Sequence, residues 1–212
     1  MKKQISIILV LFAISIVKLQ AQEGDSKEPQ FLFDSENIQI SGFGGPTVGF
    51  SSLDNDFAVF TGGGGAMLIN QKFFLGGYGE GLSTQHQINE TQVSCPDKNT
   101  IAFGYGGFWF GYIYKPHKLV HVNINTVAGW GGISLYDDEF DVANMEHCDK
   151  DNVFVVMPKI EMEVNLTSWM KFTAGAGYRF TGGISSPLYS QKMFNQPNIR
   201  LGVMFGNFSP NN

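Results

Sequence analysis

The sequence predicts an all-β fold, an eight-stranded antiparallel up-and-down transmembrane β-barrel, and three observations lead there. Apolar and polar residues alternate with a period of two along much of the chain, the mark of strands with two unlike faces. The links between these strands are mostly short at one end and long at the other, as in barrels with tight turns below and loops above. Charged residues make up only 16% of the 212, while Gly numbers 26 and Phe 19; typical domains carry about 25% charged residues.

The chain opens with MKKQISIILVLFAISIVKLQAQ, two lysines followed by an apolar run from Ile5 to Val17 and a small residue at Ala21. This is the layout of a secretory signal peptide over 1–21, and the run is short of the ~20 residues that a spanning helix needs. Removing Lys2, Lys3 and Lys18 leaves 14 − 3 = 11 basic against 19 acidic residues, a mature charge of −8. Such a chain is no partner for nucleic acid. Residues 22–36 read as a polar periplasmic linker, 37–208 as the barrel and 209–212 as a C-terminal tail.

Strand one, 37–52, sets Ile38, Ile40, Val48 and Phe50 against Gln39, Ser41 and Thr47, and turns at Asp54-Asn55-Asp56. Strand two, 57–69, is apolar on both parities (AVFTGGGGAMLI), which leaves its register open. After Asn70-Gln71 comes strand three, 72–84, with Glu80. Strand four, 100–114 (IAFGYGGFWFGYIY in part), is again apolar on both parities. Beyond Lys115-Pro116-His117, strand five, 118–134, sets Val120, Val122, Ile124, Ala128 and Trp130 against His121, Asn123 and Asn125. Strand six, 153–166, opposes Ile160, Met162 and Val164 to Lys159, Glu161 and Glu163. After Thr167-Ser168-Trp169, strand seven, 170–183, opposes Phe172, Ala174, Ala176 and Tyr178 to Lys171, Thr173 and Arg179. Strand eight, 198–208, sets Ile199, Leu201, Val203 and Phe205 against Arg200. The long links are 85–99, 135–152 and 184–197, and an even strand count returns both ends of the barrel to the short-turn side.

Charge decides which face is wet. A soluble barrel of eight strands needs several dozen polar outward positions. Within the strands the charges are little more than Glu80, Lys159, Glu161, Glu163, Lys171, Arg179 and Arg200, three acidic and four basic, a set that suits an enclosed interior where ions must pair. The polar face therefore points inward. The predicted interior network is Glu80, His121, Asn123, Asn125, Lys159, Glu161, Glu163, Lys171, Arg179 and Arg200. Phe73, Phe74, Tyr112, Tyr114, Trp169, Phe172 and Phe208 cluster near the short turns, where an interfacial girdle belongs.

This architecture, over residues 37 to 208, resembles the small eight-stranded outer-membrane barrels of the OmpA transmembrane-domain and OmpX-like kind. The resemblance implies the outer membrane of a Gram-negative bacterium, lipid around the wall and delivery by the barrel-assembly machinery. That machinery reads a terminal aromatic in many such barrels, whereas here Phe208 is followed by Ser-Pro-Asn-Asn. The segment GFGGPTVGF followed by GGGGAMLINQKFFLGGYGEGL also looks like the glycine-rich hairpin core of a family of exported bacterial proteins, a likeness that implies no activity.

Candidate chemistry is sparse. Gly62 to Gly65 is no phosphate loop, since no Lys-Ser/Thr follows and no helix opens; strand glycines instead relieve crowding in a curved barrel. Cys95 and Cys148 fall in long loops at one end, and a disulfide between them would be worth roughly 2–4 kcal/mol. In YDDEFDVANMEHCDKDN, Asp137, Glu139 and Asp141 are spaced to approach a divalent cation, but Val142 stands where an EF-hand needs glycine, so the stretch reads as a solvated acidic loop. No metal centre and no cofactor is expected. The function predicted is a non-enzymatic binding, adhesion or envelope-structural role, with the loops 85–99, 135–152 and 184–197 meeting an extracellular ligand. Two rivals are a lipid-modifying outer-membrane enzyme built around His121, and a soluble lipocalin-like barrel with an apolar ligand.

Overall fold

The computed structural model describes residues 38–88, 99–136 and 148–209, with side chains from residue 150 onward in the last stretch. Its strands are β1 (Ile40–Leu53), β2 (Asp56–Ile69), β3 (Phe73–Leu82), β4 (Thr100–Tyr114), β5 (Val120–Tyr136), β6 (Cys148–Asn165), β7 (Met170–Tyr178), β8 (Phe180–Gly182) and β9 (Pro197–Gly206), with one helical turn, α1 (Gln191–Phe194). Each strand pairs antiparallel with its neighbour, and β9 pairs with β1 from Phe43↔Gly206 to Phe50↔Ile199. The sheet closes on itself as an eight-stranded antiparallel barrel, in which β7 and β8 are two stretches of one course.

The interruption at Arg179 has a local cause. β9 begins only at Pro197, opposite Tyr178, so beyond that point the course keeps β6 as a neighbour and loses β9. Residues 183–196 take the vacated side and fold across the barrel mouth. The two tightest hairpins turn on Asp54-Asn55 (φ 50° and 70°) and Asn70-Gln71 (φ 50° and 57°). Two successive left-handed residues follow the strand twist, and Asn and Asp tolerate that region best.

Pairing fixes the register of β2 and β4. Ala58, Phe60, Ala66 and Leu68 of β2 and Ile101, Phe103, Tyr105, Trp109 and Ile113 of β4 are buried, while Phe57, Met67, Phe108, Phe110 and Tyr114 are exposed. Both parities are apolar because one meets an aromatic half of the lumen and the other forms the outer wall. The lumen is thus two-sided, with an aromatic β2–β4 wall facing a polar wall from β5 to β9.

Several expectations are corrected. β6 starts at Cys148 rather than 153 and β5 runs to Tyr136, so the ladder climbs into residues that read as loop. Backbone pairing continues there, Leu135↔Cys148, where the side chains no longer alternate in polarity. Cys148 therefore opens a strand; Cys95, with Asp137, Glu139 and Asp141, lies outside the described residues. Phe74 and Phe208 do not join a girdle. Phe74 is buried by the parity of β3, and Phe208 turns in under the barrel, 5.9 Å from the Phe43 ring.

The glycines differ in how much room a side chain would find. A Cβ at inward Gly129 would collide with the Gly106 carbonyl and with the Gly107 Cα, whereas a Cβ at outward Gly77 would meet nothing closer than the Gly107 oxygen at 3.9 Å. Crowding accounts for inward Gly129, and for outward Gly63, whose Cβ would come within 2.6 Å of the Gly45 oxygen, but not for Gly77. Gly129→Ala is expected to destabilise by about 1–3 kcal/mol, and Gly77→Ala to be neutral or slightly stabilising, as urea unfolding in lipid vesicles would measure.

Candidate functional site in the barrel lumen

The polar wall follows from strand periodicity. Every second residue of β5, β6, β7 and β9 points inward and supplies eight of the ten residues assigned to the interior; Glu80 comes from β3 and Arg179 from the break between β7 and β8, and none of the ten is more than 6% exposed. They form two clusters, with Arg179 beside the second and without an ion-pair partner among the described residues. Near the short turns, Glu163 is the hub: it accepts from Asn123 Nδ2 at 2.7 Å, lies 2.8 Å from His121 Nε2 and pairs with Lys171 Nζ at 3.2 Å. His121↔Glu163 and Glu163↔Thr173 are paired positions across the β5–β6–β7 ladder, so register alone brings the imidazole beside the carboxylate. The other imidazole nitrogen, Nδ1, is 3.0 Å from Lys118 O. Both ring nitrogens are occupied, and neither partner is a hydroxyl for histidine to activate.

One layer up, Glu161 accepts from Asn125 Nδ2 at 2.5 Å and faces Lys159 Nζ at 3.8 Å, while Trp109 Nε1 donates to Asn125 Oδ1 at 3.0 Å. The Lys159 ammonium also lies 5.0 Å from the Tyr78 ring centroid and 5.5 Å from that of Trp109, which links this layer to the second cluster.

That second cluster crosses the waist of the lumen. Glu80 on β3 pairs with the Arg200 guanidinium on β9 and accepts hydrogen bonds from the Tyr105 hydroxyl and, at 2.7 Å, from the Tyr78 hydroxyl. Tyr78 in turn accepts from Arg200 and is 2.8 Å from Thr47 Oγ1. With the charges matched and nearly every lone pair engaged, the pair meets the condition under which a buried salt bridge is tolerated. Tyr78, Tyr105, Thr47 and Trp109 were not foreseen as members. Tyr78 stands two residues before Glu80 and so shares its face, a signal the sequence carried.

Arg179 has no ion-pair partner among the described residues, though it lies within electrostatic reach of Tyr105 and Glu80 of the waist cluster. It is fully buried near the mouth, its Nε donates to Phe194 O at 2.9 Å, and its guanidinium lies 4.2 Å from the Phe60 ring centroid and 5.2 Å from that of Phe103. Above it the 183–196 segment is tied down. Phe194 is buried 5.0 Å from Phe103, Gln191 Nε2 donates to Thr181 O at 2.8 Å, Thr181 N donates to Asn195 Oδ1 at 2.6 Å, and Asp151 Oδ2 accepts from Ser185 N and Ser186 N. Beside this cover lies a cleft of about 550 Å³ whose lining includes Asp54, Asp56, His86, Ile88, Leu188 and Met193.

No protein-family profile and no curated protein matches the chain. Among solved structures it is similar to Neisserial surface protein A (NspA), with 10% identity over 82% of this chain and 99% of that one and a TM-score of 0.49. It is also similar to Ail, the attachment invasion locus protein of Yersinia pestis. The complex of Ail with the heparin analogue sucrose octasulfate gives 10% identity over 79% of this chain and 97% of Ail, with a TM-score of 0.47. A second structure of Ail gives the same identity and coverage, with a TM-score of 0.46.

Proposed function

We propose that the chain is exported by its N-terminal signal and sits in the outer membrane of a Gram-negative bacterium, as a sealed barrel that acts by non-enzymatic binding at its loop end. The orientation of the wall carries this reading. At neighbouring positions of β6, Ile160 is 61% exposed and Lys159 only 3%. Ile124, Ile199, Phe108 and Trp130 are exposed on the same outer wall, and exposed apolar side chains that recur on strand after strand mark a membrane or partner surface. Val120 to Trp130, both exposed, is ten residue steps along a tilted strand, roughly 25 Å, the height of a hydrocarbon core.

The same packing supports a lumen closed to diffusion, with Glu80–Arg200 across the waist, Phe208 below and Phe194 above. What remains to meet a partner is the loop end, where the cleft beside the 183–196 cover offers carboxylates and apolar side chains together. A disulfide between Cys95 and Cys148 would tether that end further.

Fractionation tests the reading. The chain should pellet with outer membranes, need detergent for extraction and show heat-modifiable mobility on a gel; recovery in the soluble fraction without detergent would refute it. Ile160→Arg, which puts a cation at mid-wall, is expected to cost about 2–4 kcal/mol in lipid vesicles, whereas a water-facing wall would tolerate it. For the loop end, a reconstituted barrel screened on immobilised glycans and peptides should lose its best ligand on Leu188→Asp. Equal binding by that variant would move the site off the cleft.

A further inference from the structure

Three segments meet around the cleft at the loop end. The β1–β2 hairpin brings Asp54 and Asp56, residues 86–88 bring His86 and Ile88, and the 183–196 cover brings Leu188 and Met193. The middle segment is pinned to the start of β4: His86 O accepts from Ile101 N and Ile88 N donates to Asn99 O, each at 2.8 Å. Ile88, Leu188 and Met193 pack partly buried against the core. At about 550 Å³, with fixed apolar walls and a few polar groups, the cleft has the make of a small-ligand site.

His86 is only 8% exposed, yet one of its ring nitrogens is unanswered. Nδ1 lies 3.2 Å from Thr84 O and 3.4 Å from Thr84 Oγ1. A carbonyl oxygen only accepts, so Nδ1 carries the proton, and in the neutral ring Nε2 is left with a lone pair. Nε2 has no partner among the described residues and is not sealed from solvent, so the lone pair opens into the cleft that His86 lines. Asp54 and Asp56 line the same cleft as exposed carboxylates, with no ion-pair partner among the described residues. No lysine or arginine is among the lining residues. A concave surface with charge of one sign concentrates the opposite one. A metal ion does not suit these acceptors, because among the described residues no three His, Cys, Asp or Glu side chains are grouped to hold one. The occupant has to reach them with N–H donors on a longer body.

We infer that the cleft receives an organic cation, a primary ammonium or guanidinium on an alkyl stem; this rests on the reading of the loop end as the binding surface. The charged head goes to Asp54, Asp56 and the His86 Nε2 lone pair, and the stem lies against Ile88, Leu188 and Met193. Lysine and arginine side chains of a polypeptide and free aliphatic polyamines share this chemistry. The net charge of −5 favours the approach of either.

The test uses the purified full chain folded in detergent, titrated in a calorimeter with spermidine, with an end-blocked Ala-Lys-Ala peptide and with hexanediol, which keeps an alkyl stem without charge. Spermidine or the peptide should bind and the diol should not. Binding of spermidine alone assigns the site to a free polyamine and of the peptide alone to a basic side chain; either upholds the inference. Asp54→Asn with Asp56→Asn removes both charges and keeps the turn, since asparagine also tolerates the left-handed backbone at 54 (φ 50°). It should weaken binding about five- to tenfold. His86→Phe keeps a ring without the acceptor and should weaken binding about tenfold. Heat-modifiable mobility reports whether each variant is folded, and if His86→Phe is not, the asparagine variant carries the test. No binding of either cation, equal binding of the diol, or parental affinity in the asparagine variant would overturn the inference. A screened ligand lost on Leu188→Asp but kept by the asparagine variant would leave the cleft as the site and overturn the cation; one that neither change affects would overturn the cleft itself.

Discussion

Glu163→Leu is expected to cost about 3–5 kcal/mol of folding stability, the range for removing one partner of a buried ion pair. The substitution strands three groups at once: Lys171 loses its counter-ion, His121 Nε2 its acceptor and Asn123 Nδ2 its only described partner. Because Lys171 is buried beneath the Phe208 ring, 4.3 Å from its centroid, water cannot readily take over. Urea unfolding in lipid vesicles gives the magnitude. The double variant Glu163→Leu with Lys171→Met should recover much of the loss, since it removes the orphaned charge along with its partner. A single variant as stable as the parent would mean that this cluster is wet, and with it the lumen.

Arg200→Met is expected to have a comparable effect at the waist, again about 3–5 kcal/mol. Glu80 would remain with two tyrosine hydroxyls and no cation at ion-pair distance, and Tyr78 would lose a donor. The two cysteine-free, non-overlapping clusters should behave almost additively where they share no partner. The paired change Glu80→Gln with Arg200→Met keeps hydrogen-bonding capacity without charge and should restore most of the stability. If Glu80→Gln with Arg200→Met unfolds as readily as Arg200→Met alone, the loss belongs to packing around Met157 rather than to electrostatics.

Much of this fold is written in two-residue periodicity, and the legible part is the polar half. In β6 the run Lys159-Ile160-Glu161-Met162-Glu163 sorts itself by face, and the scarcity of charge then says which face is inside. The aromatic half cannot be read that way, because lumen and outer wall ask for the same chemistry and Phe108, Trp109 and Phe110 carry no sign of which one turns inward. Only pairing with β3 and β5 decides it. Arg179 illustrates a second limit. Counted in sequence, it is one of four cations against three carboxylates and looks like a member of a near-neutral ladder. In space the strand breaks beside it, and among the described residues it meets the Phe60 and Phe103 rings and the Phe194 carbonyl, with no carboxylate at ion-pair distance. The extension of β6 to Cys148 was hidden for another reason, since backbone hydrogen bonds continue where side-chain polarity stops alternating.

The seam between the first and last strands sets how this chain must mature. Thr47 pairs with Gly202, positions 202 − 47 = 155 residues apart, and until they meet both flanks of the sheet display unsatisfied amides and carbonyls. Closure at such separation makes folding slow and nearly all-or-none, because no smaller arc of strands hides its own margins. A product cut short before Pro197 would not be a slightly weaker cylinder but an open, adhesive ribbon, fit for chaperones or proteolysis and for nothing else.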